Sequence, residues 1–213
     1  MLRIPEPELM LDNIQAVSYS SNDRSKPKNL FKHFYLKKLK DIGTGSIIDL
    51  GCGPGDLTIE ISQLNPHATI LAVDASPAMI GKTANTAQVQ FKNMPITDIV
   101  TKYDRVVSSM TLHHFHNPLE FWNTVKTISP KDVFVFDMLR PDDETTLQSI
   151  VDANGPFLDD IFRIDFENSL RASFTIDEIT QQLAMCNLPL SVTEFKVEEN
   201  NLKVVIISGD LII

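Results

Sequence analysis

Positive charge, cysteine and long apolar runs are all scarce in this chain of 213 residues. Lys and Arg total 19 against 28 Asp and Glu, a formal net charge of −9. A surface built to hold nucleic-acid phosphates needs basic residues in excess, at least locally. Only Lys26 to Lys40 has them, with Lys26, Lys28, Lys32, Lys37, Lys38 and Lys40 set among apolar residues. That run reads as the solvated face of an amphipathic helix, with a small RNA footprint as its rival. Two cysteines, Cys52 and Cys186, are too few for a disulfide framework or a cysteine-based zinc cage, and no metal site is expected. The longest apolar stretches, such as Lys203-Val-Val-Ile-Ile-Ser208, are strand-sized and cannot cross a bilayer. Residues 1–8 lack a basic start leading into an apolar core, so the expectation is a cytoplasmic protein with reduced thiols.

What is present is alternation. Ser46-Ile-Ile-Asp-Leu50 is a short apolar strand, followed by a glycine-rich turn and a helix over Asp56 to Leu64. Strands then read at 68–73, 87–91, 103–108 and 132–136, with helices at 76–84 and 118–128 between them. Leu30, Phe31, Phe34, Tyr35 and Leu39 recur at helical spacing before the first strand. Thr175-Ile-Asp-Glu178 has capping-box spacing and opens a helix to 185. Strands at 190–197 and 202–208, joined across Glu198-Glu-Asn-Asn201, close the chain as a hairpin. The expected fold is one α/β domain over 1–213, a doubly wound, mostly parallel seven-stranded sheet ending in an antiparallel hairpin. Residues 1–40 form its N-terminal arm and helix, with 1–26 polar and irregular. Residues 141–173 read as a loose, insertion-like cap.

The chemistry concentrates in Asp49-Leu-Gly-Cys-Gly-Pro-Gly55. Glycines after a strand let the backbone turn sharply and approach a ligand, and the following helix aims free N–H groups at it. Asp74, ending the next strand, is placed to accept both hydroxyls of a ribose. The dinucleotide fingerprint Gly-x-Gly-x-x-Gly would need a third glycine at position 56, which is Asp56. A carboxylate there repels a pyrophosphate. Asp49 suits instead a ligand bearing a cationic amine and a sulfonium.

These two segments, Asp49 to Gly55 and Val73-Asp-Ala-Ser-Pro-Ala-Met-Ile80, resemble the first motifs of class I S-adenosylmethionine-dependent methyltransferases. Tyr103 to Pro118 is similar to the fourth-strand motif of their small-molecule branch. The resemblance covers about residues 40–141. It implies S-adenosylmethionine as cofactor, with Asp49, Gly51, Cys52, Gly53 and Gly55 at the methionine moiety and Asp74 at the ribose. Ala75 and Met79 would flank the adenine, Asn93 and Met94 would meet its edge, and Ser108 and Ser109 would line the pocket near the amine. Tyr19 would close over the cofactor, or else anchor the arm.

No Asn/Asp-Pro-Pro-aromatic tetrapeptide follows the fourth strand and no Pro-Cys nucleophile is present, which removes two branches of the family. His113 and His114, ahead of His116, are the candidate bases. Asp137 would meet a polar substrate, while Arg140 suits a structural ion pair within its loop. The function implied is methyl transfer to a small-molecule acceptor; a tRNA- or protein-modifying enzyme and a non-catalytic cofactor-binding regulator are the alternatives. The acceptor and the oligomeric state are not legible.

Overall fold

The computed structural model describes residues 1–6, 12–80, 84–128, 130–155 and 158–211. Among the described residues, seven strands form one sheet: β1 (Ser46–Leu50), β2 (Thr69–Asp74), β3 (Val89–Asn93), β4 (Arg105–Ser109), β5 (Asp132–Met138), β6 (Ser191–Lys196) and β7 (Lys203–Asp210). Their order is β3-β2-β1-β4-β5-β7-β6. The first five are parallel, and β7 inserts antiparallel between β5 and β6. The sheet is the one expected. Strand order reverses at β1, which has β2 on one side and β4 on the other, and a doubly wound sheet has its ligand crevice at such a reversal.

Helices cover both faces, because the central strands present apolar side chains to each: Ile47 and Val107 to one cluster, Ile48, Leu50 and Val106 to the other. On one face α2 (Ser25–Lys38) and α3 (Asp56–Leu64) bury Phe31, Phe34, Tyr35 and Ile61 against Ile47, Val107, Phe134 and Phe136. On the other, α5 (Pro118–Ile128) and α8 (Ile176–Cys186) pack Phe121, Trp122, Ile179 and Leu183 on Leu50, Val106 and Val135. Trp122 is fully buried, its indole N–H donating to Gln182 Oε1 at 3.0 Å, so it anchors the core. The expected capping box at Thr175 and Glu178 is formed in full. α4 is Pro77–Ile80; the rest of the helix expected to 84 falls largely on 81–83, outside the described residues.

Two expectations change. The N-terminal arm contains a helix, α1 (Asn13–Ser21), started by the Asp12 side chain accepting from the Ile14 N–H. The stretch 141–173 contains two helices, α6 (Glu144–Asn154) and α7 (Asp160–Ala172), capped by Asp143 and Asp159. Leu147, Ile150, Val151 and Leu170 give it a small core of its own on Met138.

The basic run has partners. Lys28 and Lys32 reach Glu60 on α3 at 3.7 and 3.1 Å, and Lys28 also reaches Asp56 at 2.9 Å. These pairs fasten α2 to α3 and account for two of the six lysines that suggested nucleic acid.

Candidate functional site

The glycine loop leaves β1 at the reversal point. Gly51, Gly53 and Gly55 have φ of 74°, 54° and 86°. The N–H groups of Gly51 and Cys52 both donate to Val73 O, at 2.9 and 3.0 Å, which folds the loop over the end of β2. At Gly51 two constraints coincide. Its backbone is left-handed, and an added Cβ would run into the Thr111 side chain, whose hydroxyl donates to Gly51 O at 3.2 Å. Gly51→Ala is expected to cost about 2–4 kcal/mol from backbone strain plus crowding. Gly43→Ala, with φ +66° but open space around it, isolates the strain alone. Thermal melts of the two variants check this, and Gly51→Ala should have the lower melting temperature.

Over Gly53 lies Tyr19, whose Cε1 would be 3.9 Å from a Cβ at that position. The Tyr19 ring meets Phe162 of α7 edge-on with centroids 5.5 Å apart, and the Arg24 guanidinium sits over it at 4.4 Å. The arm and the 141–173 segment thus meet above the loop. Gly55 caps α3, and Asp56 turns its carboxylate to Arg24 and Lys28 at 3.0 and 2.9 Å. Burial opposes its ionisation, but Lys28 and Arg24 win and its pKa is lowered. The charge that argued against a pyrophosphate is therefore neutralised by α2.

Two carboxylates lie at the carboxyl ends of neighbouring strands, Asp49 one residue before the end of β1 and Asp74 last in β2. Asp49 is buried and accepts the Thr58 hydroxyl at 2.6 Å. Burial, then the nearby Asp74 and Asp56, lift its carboxyl to about 7. Asp74 accepts the Gly53 N–H on Oδ2 and the Ser76 N–H on Oδ1, each at 2.8 Å. An ionised carboxylate has about four acceptor positions, so two backbone bonds orient Asp74 and leave two positions for a diol. Burial raises its pKa against the pull of those bonds.

The remaining residues suggested by the sequence frame this pair. Ala75 is half-buried and Met79 buried. Asn93 is the last residue of β3, two residues further along than the expected strand end. Its Nδ2 and the Met94 N–H both donate to Asp74 O, at 2.9 and 3.0 Å. Ser108 is fully buried and its hydroxyl donates to Leu50 O at 2.7 Å, so it braces the loop from below. Ser109 O accepts the Thr111 hydroxyl at 3.0 Å. Burial, with Asp49 and Asp74, pushes the Cys52 thiol up, which keeps it protonated and unreactive.

His113 and His114 lie in a 3-10 turn, Leu112–His114, after β4. His113 is buried; its backbone N–H donates to Asp137 Oδ2 at 3.0 Å and its Nδ1 lies 2.6 Å from Oδ1. Asp137 therefore holds His113 and is not exposed to a substrate, contrary to expectation. Burial disfavours the imidazolium, but Asp137 and then Glu6 outweigh it, and the His113 pKa is raised. Arg140 is in an ion pair, but with α8 and not within its own loop as expected: Nη2 is 2.7 Å from Glu178 Oε1.

Nothing in the sequence marked residues 1–6 as part of this edge. They cross it as a strap. The Arg3 Nη2 donates to His113 O and Phe115 O at 2.9 and 3.0 Å, and Ile4 N to Arg171 O at 3.1 Å. Glu6 ends 3.5 Å from His113 Nε2 and 3.2 Å from His114 Nδ1. A groove of about 340 Å³ lined by Ile42, Thr44, Gly45, Asp104, Lys131 and Asp132 lies at the opposite edge of the sheet, away from these groups.

A profile of the methyltransferase domain family matches residues 8–188, most of the chain. The chain belongs to that family. An uncharacterized methyltransferase of Mycobacterium tuberculosis is 32% identical over 99 residues, 42% of this chain and 47% of that protein. The trans-aconitate 2-methyltransferase of Mycobacterium ulcerans is 31% identical over 114 residues, 50% of this chain and 41% of its own length. The aligned part thus spans less than half the length of these relatives. Among solved structures, the plantazolicin methyltransferase BpumL with S-adenosylhomocysteine superposes with a TM-score of 0.64 at 16% identity, covering 93% of this chain and 94% of that one. A SAM-dependent methyltransferase from Aquifex aeolicus gives 0.63 at 15%, covering 92% and 98%. At such identities the superpositions establish the fold. The cofactor of the family is S-adenosylmethionine, and the site fits it: a loop without Cβ atoms at its turns, an oriented carboxylate with two open acceptor positions, and a second buried carboxylate beside it.

Proposed function

We propose that this chain transfers the methyl group of S-adenosylmethionine to a small-molecule acceptor. The observation that carries the reading is the pair Asp49 and Asp74 at adjacent strand ends beneath the glycine loop, with Asp74 held by two backbone N–H groups. When bound, the cofactor supplies an electrophilic methyl on a good leaving group. What the chain does is bind, orient and exclude water. Asp49 with Gly51, Cys52, Gly53 and Gly55 would hold the methionine moiety, and Asp74 the ribose diol. Ala75 and Met79 would flank the adenine, with Asn93 and Met94 at its edge. Ser109 would line the pocket, with Ser108 as its brace. Tyr19, already over Gly53, would close it from the arm.

Aligning an acceptor with the methyl group contributes a large effective molarity, so positioning is the main task of these residues. A base is required only for an acceptor that arrives protonated. His113 and His114 are the groups we assign to that side of the site. Asp137 fixes the His113 ring through Nδ1, which makes Nε2 the atom that would take a proton once Glu6 is withdrawn.

A small acceptor is supported by the net charge of −9 and by the lysines of α2 that pair with α3. The named activities of relatives, one acting on trans-aconitate, point the same way. The test is release of S-adenosylhomocysteine across three acceptor panels: small carboxylic acids, phenols and amines; bulk tRNA; and peptides. Turnover in the first panel alone is expected. Turnover only with tRNA or peptide would overturn the acceptor class, and cofactor binding with no turnover in any panel would favour a regulatory role.

A further inference from the structure

We propose that Glu6, His113 and His114 form a binding site for one divalent cation of the zinc class, which clamps the N-terminal strap onto the turn after β4. The sequence alone pointed to no metal, because Glu6 lies more than a hundred residues from the two histidines.

One ligand atom from each of the three side chains lies within 4.8 Å of the others. Glu6 Oε1 is 3.5 Å from His113 Nε2 and 3.2 Å from His114 Nδ1. Zinc binds imidazole nitrogen and carboxylate oxygen at about 2.0–2.1 Å in tetrahedral geometry, which puts neighbouring donors about 3.3–3.4 Å apart. The two Glu6–imidazole separations bracket that value. Two imidazoles and one carboxylate form a donor set suited to zinc and its first-row neighbours, with a fourth position left for water.

The surroundings orient each ligand. Asp137 accepts from His113 Nδ1 at 2.6 Å, which directs the Nε2 lone pair toward Glu6; metal-bound histidines are commonly held in this carboxylate–imidazole arrangement. The Ser169 hydroxyl donates to Glu6 Oε1 at 3.1 Å and lies 3.4 Å from Oε2. His116 Nε2 lies 2.6 Å from Glu6 O, and Arg3 holds the carbonyls of His113 and Phe115. Both halves of the site are thus fixed before a cation arrives. With neutral imidazoles, a dication would face the carboxylates of Glu6 and Asp137, with Arg3 nearby. An Nε2 engaged in this way takes no proton, so any action of His113 as a base belongs to the cation-free protein.

The test is a calorimetric titration of the full chain, stripped with a chelator, with zinc chloride in a non-coordinating buffer. It needs no methyl donor, so its outcome is separate from the methyltransferase reading. One equivalent is expected to bind to the native protein. Glu6→Gln and His114→Asn should each weaken binding by at least about 100-fold, and Asp137→Asn by about 10- to 100-fold through the orientation of His113. His67→Asn, at an exposed histidine elsewhere, should leave it unchanged. Far-UV circular dichroism verifies folding of each variant. His114 is 29% exposed, so its variant keeps the test decisive if Glu6→Gln misfolds. No stoichiometric binding by the native chain, or binding undiminished in folded Glu6→Gln and His114→Asn, would overturn the proposal and leave the cluster as an ion-paired latch.

Discussion

Asp74→Ala is expected to weaken S-adenosylmethionine binding by about 10²- to 10⁴-fold. The magnitude follows from two charge-assisted hydrogen bonds to a ribose diol at about 1.5–3 kcal/mol each, with about 1.4 kcal/mol per tenfold in affinity. The native carboxylate does not have to be organised on binding, because Gly53 and Ser76 N–H groups already hold it. Asp74→Asn keeps an acceptor oxygen but no charge, and should fall between the two. Calorimetry at constant pH checks the series. A loss of less than tenfold for Asp74→Ala would show that the ribose is held elsewhere.

Asp49→Asn should act in opposite directions on binding and stability. Burial first, then Asp74 and Asp56, lift the Asp49 carboxyl from 3.8 to about 7, so between those values the folded chain retains a proton that the unfolded chain has lost. The stabilisation from that proton is complete below pH ~4 and disappears as pH rises through about 7. At pH 8 the folded protein carries a buried, poorly solvated charge that costs up to about 4 kcal/mol, each tenfold change in the ionisation equilibrium being about 1.4 kcal/mol. Without cofactor, Asp49→Asn should therefore raise the melting temperature at pH 8, by about 2–4 °C for each kcal/mol recovered in a chain of this size. The same variant should bind S-adenosylmethionine more weakly at pH 8, having no anion for the cationic ligand. In the native protein the affinity should drop about tenfold from pH 8 to pH 6, as the carboxylate becomes protonated in the free state. An affinity independent of pH, or a lower melting temperature for Asp49→Asn at pH 8, would contradict this. A charge that destabilises the empty fold is one sign that it is kept for a ligand.

The sheet and its loop were legible because they follow from local rules. Apolar strands of five to eight residues and glycines at 51, 53 and 55 carry their structure in short windows, as does the spacing of Thr175 and Glu178. The helices α1, α6 and α7 were not, although Asp12, Asp143 and Asp159 each stand at a cap. Their apolar residues are diluted by Asp, Glu and Ser, and packing on Met138 and between Tyr19 and Phe162 supplies what periodicity does not. Asp137 lies at the expected edge but has a different neighbour. Whether a strand-end carboxylate faces solvent or a histidine depends on a turn 24 residues earlier. Glu6 and Arg3 are the extreme case. Nothing in Met1-Leu-Arg-Ile-Pro-Glu6 signals chemistry, and both residues acquire their roles only through contacts 107 or more positions away, at His113, His114, Phe115 and Ala172.

Calorimetric titration of the native chain with S-adenosylmethionine at pH 8 tests the central claim most directly. One saturable site is predicted, lost with Asp74→Ala, and no saturable heat from the folded native protein would contradict it.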